Sequence, residues 1–123
     1  MLFACDKGMF DTEQMRLLAN VVSYFPPGEC NNGIEFRLRF VYDETTNTII
    51  ELKDRRIQHE QWQRLFWQKK EKEFGDWRVD SKEETSLIDM CNLLVSAGEG
   101  KLAKELHDEL VDANKQGEKQ WKL

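Results

Sequence analysis

Basic side chains crowd the middle of the chain: Arg37, Arg39, Lys53, Arg55, Arg56, Arg64, Lys69 and Lys70, with Trp67 among the last of them. Cationic groups beside an aromatic ring can neutralise phosphates and stack a base, which is the chemistry of single-stranded nucleic-acid binding. Acidic residues interrupt the set at Glu35, Glu51, Asp54, Glu60, Glu71 and Glu73. From Asn31 to Arg78 the balance is ten Lys/Arg against nine Asp/Glu, and the whole chain carries −5. Nonspecific affinity for phosphate comes from clustered positive charge. The interleaved pattern therefore reads first as a solvated face with local ion pairs.

Other chemistry has fewer supports. His59 and His107 stand alone, without the His or Cys spacing that holds zinc. Asp112, Asn114 and Gln116 before Gly117 mimic the start of a calcium loop. Its twelfth position is Leu123, where a bidentate glutamate is required. Val95 replaces the first glycine that "AGEGKLA" would need as a phosphate loop. Cys5, Cys30 and Cys91 are odd in number and scattered, which argues against a disulfide framework and for a reducing cytosol. No metal, cofactor or catalytic residue is expected.

These residues need elements to position them. "MLFAC" reads as a short first strand. Leu18, Val21, Val22 and Phe25 recur at helical spacing behind an Asp11 or Thr12 cap, predicting an N-terminal helix stopped by Pro26 and Pro27. Ile34, Phe36, Leu38, Phe40 and Tyr42 alternate with Glu35, Arg37 and Arg39, the pattern of a half-buried strand. "DETTN" turns the chain and "TIIELK" returns. Aligning apolar residues pairs Tyr42 with Thr48, Phe40 with Ile50 and Leu38 with Leu52. The opposite face then pairs Arg39 with Glu51, Arg37 with Lys53 and Glu35 with Arg55.

From Gln58 to Phe74 the pattern predicts a central aromatic-rich helix. Trp62, Leu65 and Phe66 share its core stripe, while Trp67 and Phe74 lie on a flank. That flank is expected to pack against a C-terminal helical hairpin; an exposed Trp67 anchoring a partner is the alternative. "GDWRVDS" has room for a short strand around Trp77–Val79. Ser81 with Glu84 forms a capping box for a helix running to Ala97. A last helix follows from Lys101 to Asn114, with a loose tail over about residues 115–123.

On the returning strand, Glu51-Leu52-Lys53 resembles the E-x-K half of the PD-(D/E)-x-K nuclease motif. That resemblance implies acids holding a divalent metal and a lysine assisting the attacking water. It covers Ile34 to Asp54 at most, and the upstream aspartate has no clean match: Asp43 lies in the turn. A cross-strand ion pair between Arg39 and Glu51 accounts for the same residues.

The expected fold is a single α+β domain over residues 1–123. A small antiparallel sheet built on one β-hairpin is packed by the N-terminal helix, the central aromatic-rich helix and a C-terminal αα-hairpin. The expected function is non-enzymatic and cytoplasmic: binding another macromolecule, foremost a protein, in the manner of small inhibitor, antitoxin, immunity or phage-type regulatory proteins. Arg55, Arg56, Arg64, Trp67 and Lys70 are the candidate partner-binding residues. A nucleic-acid-binding module and a metal-dependent nuclease are the competing classes, and no membrane association is expected.

Overall fold

The computed structural model describes residues 2–28, 32–58 and 74–121, with side chains of the last helix described to Asp112. Strands dominate it. β1 (Leu2–Cys5) and β2 (Gly8–Asp11) form a two-stranded hairpin. β3 (Arg16–Phe25), β4 (Ile34–Asp43), β5 (Thr48–Ile57) and β6 (Arg78–Thr85) form an antiparallel meander in that order. Two helices follow among the described residues, α1 (Leu87–Ser96) and α2 (Gly100–Trp121).

The helix expected at the N-terminus is strand β3, so the fold is not a helix-rich α+β arrangement around one hairpin. A bulge explains the misleading spacing. The β3–β4 register shifts between Leu17 and Ala19, and both Leu18 and Ala19 are buried. One inserted residue breaks period-two alternation and leaves an apparent i, i+3, i+4, i+7 series. Asp11 does cap a turn, accepting the Glu13 N–H at 3.1 Å, but that turn leads into a strand. Val21, Val22, Tyr24 and Phe25 are residue types that suit the pleated surface.

The β4–β5 hairpin forms where expected, one residue out of the predicted register. Asp43 pairs with Thr48, which leaves a four-residue loop and sets Tyr42 against Ile49, Phe40 against Glu51 and Leu38 against Lys53. Asp43 Oδ2 accepts bonds from the Thr46 N–H (3.0 Å) and hydroxyl (2.7 Å), and Asn47 adopts a left-handed conformation with φ 56°. Such a conformation suits asparagine. Apolar alignment failed because this sheet has two partly apolar faces. Phe40, Tyr42 and Ile49 face the helices, while Val41, Ile50 and Leu52 pack with Phe3 and Phe10 of the β1–β2 hairpin and with Met15 just after it.

Ser81 lies in β6, not at a helix start. The cap of α1 is Ser86, whose Oγ accepts the Asp89 N–H at 3.1 Å. α1 ends in a Schellman motif: Glu99 N–H bonds Leu94 O (2.8 Å), Gly98 N–H bonds Val95 O (3.0 Å), and Gly98 takes φ 82°. α2 continues to Trp121, past the expected end at Asn114. The strand expected around Trp77–Val79 is the beginning of β6, and "MLFAC" contributes β1. The predicted central helix falls on residues 59–73, outside the described residues. Among the described residues no helix is long and apolar enough to cross a membrane.

Leu94 and Met90 of α1 are fully buried against Phe40 and the Ala103–Leu106–Leu110 stripe of α2. Leu94→Ala is expected to cost about 2–5 kcal/mol in urea unfolding through loss of burial and the cavity left behind. Ile88→Ala, on the outer face of the same helix, is expected to stay within about 0.5 kcal/mol. Equal effects would contradict this packing.

Candidate functional site

Each sheet face has a half near the β4–β5 turn and a half near the distal end, where Phe25, Ile34 and Ile57 lie side by side. Three of these four quarters are covered. On the helix side, α1 begins beside the turn end, because Thr85 pairs with Ile49 and Leu87 follows. Its ten residues reach about 15 Å, whereas ten residues of strand span about 34 Å. α2 then turns back, and Arg16 Nη2 meets its Glu109 Oε1 at 2.7 Å. On the opposite side the β1–β2 hairpin covers the turn half, tied by Lys7 to Glu84 at 2.8 Å.

The distal half of that opposite face is covered by a stack of guanidinium groups and rings. Arg37 and Arg39 each donate Nε–H to Asp54 Oδ2 at 2.9 Å. The Asp54 side chain is completely buried, and its Oδ1 has no hydrogen-bond partner among the described residues. Arg56 binds Glu35 Oε1 through Nε (2.9 Å) and Nη2 (2.6 Å). The Arg56 guanidinium also lies 4.3 Å from the Phe74 ring centre and 4.5 Å from that of Trp77, and Arg37 lies 4.2 Å from Trp77. Tyr24 meets Phe74 edge-on at 6.1 Å and donates its hydroxyl to Gln58 Oε1 at 2.6 Å. Arg37 and Arg56 act as packing residues. Their planar groups cover the rings while carboxylates accept their Nε–H.

The predicted charge pairs are thereby corrected. Arg39 bonds Asp54, not Glu51, and Arg37 faces Asp54 instead of Lys53. Glu35 lies opposite Arg56, not Arg55. The one-residue register change accounts for all three.

Glu51 and Lys53 share the helix side of β5 and pair with each other at 3.3 Å, with Glu83 directly across from Glu51. Among the described residues no three His, Cys, Asp or Glu side chains gather as a metal would require. Burial pushes the Cys91 thiol pKa up, which keeps it protonated beside Ala103 O and unsuited to attack. Burial first, then the carboxylates of Glu44 and Asp43, also pushes up the Tyr42 phenol, which donates to Asn47 Oδ1 at 2.7 Å.

The remaining quarter, the distal half of the helix side, has no element over it among the described residues. Phe25, Phe36 and Ile57 are 57%, 38% and 44% exposed, with Ile34 between Phe25 and Ile57. Phe25 and Phe36 meet edge-on at 5.4 Å. Isolated exposed apolar residues are ordinary, but here three of them are adjacent. Along the same face, cross-strand register carries the row from Phe36 to Arg55 and on to Arg78. A cleft of about 680 Å3 beside it is lined by Arg55, Arg56, Ile57, Phe74, Asp76 and Arg78.

Of the predicted partner-binding residues, Arg55 belongs to this open face. Arg56 points to the other face, as successive strand residues must. Arg64, Trp67 and Lys70 lie outside the described residues. Phe25, Phe36, Ile57 and Arg78 were missed as a group. The sequence reading could not group them, because it made β3 a helix and began α1 at Ser81 instead of Leu87. No protein-family model matches the chain, and no curated protein or solved structure matches it either.

Removing one member of the buried charge cluster should be costly. Asp54→Asn is expected to destabilise the domain by about 3–5 kcal/mol, because two guanidinium groups lose their shared counter-charge. Arg55→Gln breaks only a half-exposed pair with Asp80 and is expected to change stability by less than about 1 kcal/mol. Denaturant titration of both variants checks the contrast.

Proposed function

We propose that this chain is a non-enzymatic binding protein, acting as a regulator or inhibitor of another protein, and that its partner seats on the open distal quarter of the sheet. The carrying observation is the contiguous exposure of Phe25, Phe36 and Ile57 on the face that the helices otherwise cover. Protein contact surfaces bury such apolar centres and ring them with polar groups. Arg55 and Lys53 supply that rim here.

A protein is favoured over nucleic acid by the disposition of the central arginines. Arg37, Arg39 and Arg56 are engaged with Asp54, Glu35 and aromatic rings, so they do not form a free cationic track for phosphates. The net charge of −5 works in the same direction. Cys5 and Cys91 are free thiols, in keeping with the reducing cytosolic compartment proposed for it.

Affinity capture from native lysate with wild type and Phe25→Ser tests the reading. The variant is expected to keep its melting temperature and to lose the captured protein, a loss of about 2 kcal/mol or more, or roughly thirtyfold in affinity. Equal capture by both forms, or recovery of nucleic acid alone, would refute it.

A further inference from the structure

We infer that the partner element is an acidic amphipathic helix, laid on the open quarter with its apolar stripe on Phe25, Phe36 and Ile57 and its carboxylates on Arg55 and Arg78. This rests on the reading of that quarter as a protein-binding surface and specifies what binds there. Two observations carry it: the charge pattern, and the continuity of the face with an existing helix–sheet interface.

Arg55 and Arg78 are direct cross-strand partners in the β5–β6 ladder. Like charges placed opposite each other on one face are unfavourable. Asp80 relieves only Arg55, with Nε–Oδ1 at 3.1 Å, and it enters through the register shift that follows Lys53. Arg78 is exposed and has no ion pair among the described residues. Lys53, on the same side, is tied to Glu51. Glu83 lies directly across from Glu51, so the cationic character of this edge is confined to Arg55 and Arg78, with Asp80 paired to Arg55 and Asp76 in the adjoining cleft. An incoming carboxylate between Arg55 and Arg78 removes the repulsion and gains charge-assisted hydrogen bonds from both. The adjoining cleft reaches past the edge of this face, lined by Arg55, Ile57 and Arg78 together with Arg56, Phe74 and Asp76.

The form of the partner follows from the layer already present. α1 and α2 pack on this face over Leu18, Phe40, Tyr42 and Ile49, and Val21 and Leu38 pack at the margin of that core. The next rows, Ser23–Phe36–Arg55–Arg78 and Phe25–Ile34–Ile57, continue the same surface beyond the reach of α1. A helix of about 10–12 Å diameter covers two to three strands spaced about 4.8 Å apart. Centred on β4, it would place one acidic flank above β5 and β6. Helices that dock this way are read through anchors at i, i+3, i+4 and i+7.

The test uses the full chain and a fluorescently labelled synthetic helix with leucines at i, i+3, i+4 and i+7 and glutamates on both flanks. Counterparts carry glutamine or lysine in place of glutamate. Fluorescence anisotropy is expected to rank them Glu over Gln over Lys, with affinity for the Glu helix falling as salt is raised. Arg78→Glu is expected to weaken the Glu helix at least tenfold and to improve binding of the Lys helix, with an unchanged melting temperature. Phe25→Ser is expected to weaken all three. Equal binding of Glu and Gln helices, or a Glu helix indifferent to Arg78→Glu, overturns the acidic partner. If Phe25→Ser still abolishes capture of the native partner in that case, the protein-binding surface stands without it. Preference for single-stranded DNA over every peptide overturns both. A large drop in melting temperature for Phe25→Ser shows the patch packed against the chain itself and also overturns both.

Discussion

The pairing of Asp43 with Thr48 decides what every other element can do. Side chains alternate along a strand, so one residue of slippage would exchange the two faces of β5 relative to β4. In the observed register Asp54 falls opposite Arg37 and within reach of Arg39, and Arg56 falls opposite Glu35. The same register leaves Phe40 and Ile49 on the helix side and Val41 and Ile50 on the hairpin side. The Asp43 carboxylate, holding both the amide and the hydroxyl of Thr46, and the left-handed Asn47 make the loop four residues long. A local turn thus sets a long-range charge arrangement.

That arrangement is better understood as specificity than as stability. Taking an aspartate fully out of water costs several kcal/mol, and a well-packed apolar replacement for such a cluster is often as stable. What an Arg–Asp–Arg group does well is penalise the wrong register, where Arg37 would meet Lys53 and Asp54 would lose both partners. The rings of Trp77 and Phe74 complete the cover from a segment that arrives just before β6. Two faces of one sheet are therefore closed by different means: apolar helices on one side, and a small hairpin with stacked guanidinium groups on the other. Among the described residues, the open quarter is what remains when α1 stops short.

The β4–β5 hairpin, the first strand and the helical hairpin were legible in the sequence because each carries a local signal: strict alternation, a short apolar run, or a leucine stripe at helical spacing. β3 was not. Its bulge at Leu17–Ala19 removes the alternation just where Leu18 and Ala19 are both buried, and the resulting spacing imitates a helix. The register was lost for a different reason. A rule that matches apolar with apolar assumes one wet face, and here Ile50 and Leu52 are buried on the face opposite Phe40. Of the candidate site, Arg55 was readable as an exposed base. Arg56 was not readable as a packing group, because its role depends on Phe74, Trp77 and Glu35 meeting it from other elements.

The two outer strands of the meander have unequal consequences at high protein concentration. β6 bears Arg78, Asp80, Lys82, Glu83 and Glu84, whereas β3 has no charged residue from Leu17 to Phe25 and no strand on its outer side among the described residues. Exposed edges recruit other chains, and charge discourages recruitment. An uncharged β3 meeting its own image about a two-fold axis closes after two copies. A β3 meeting the β6 of the next molecule would instead repeat without end. The charged β6 therefore biases self-association away from fibres and towards a terminating pair.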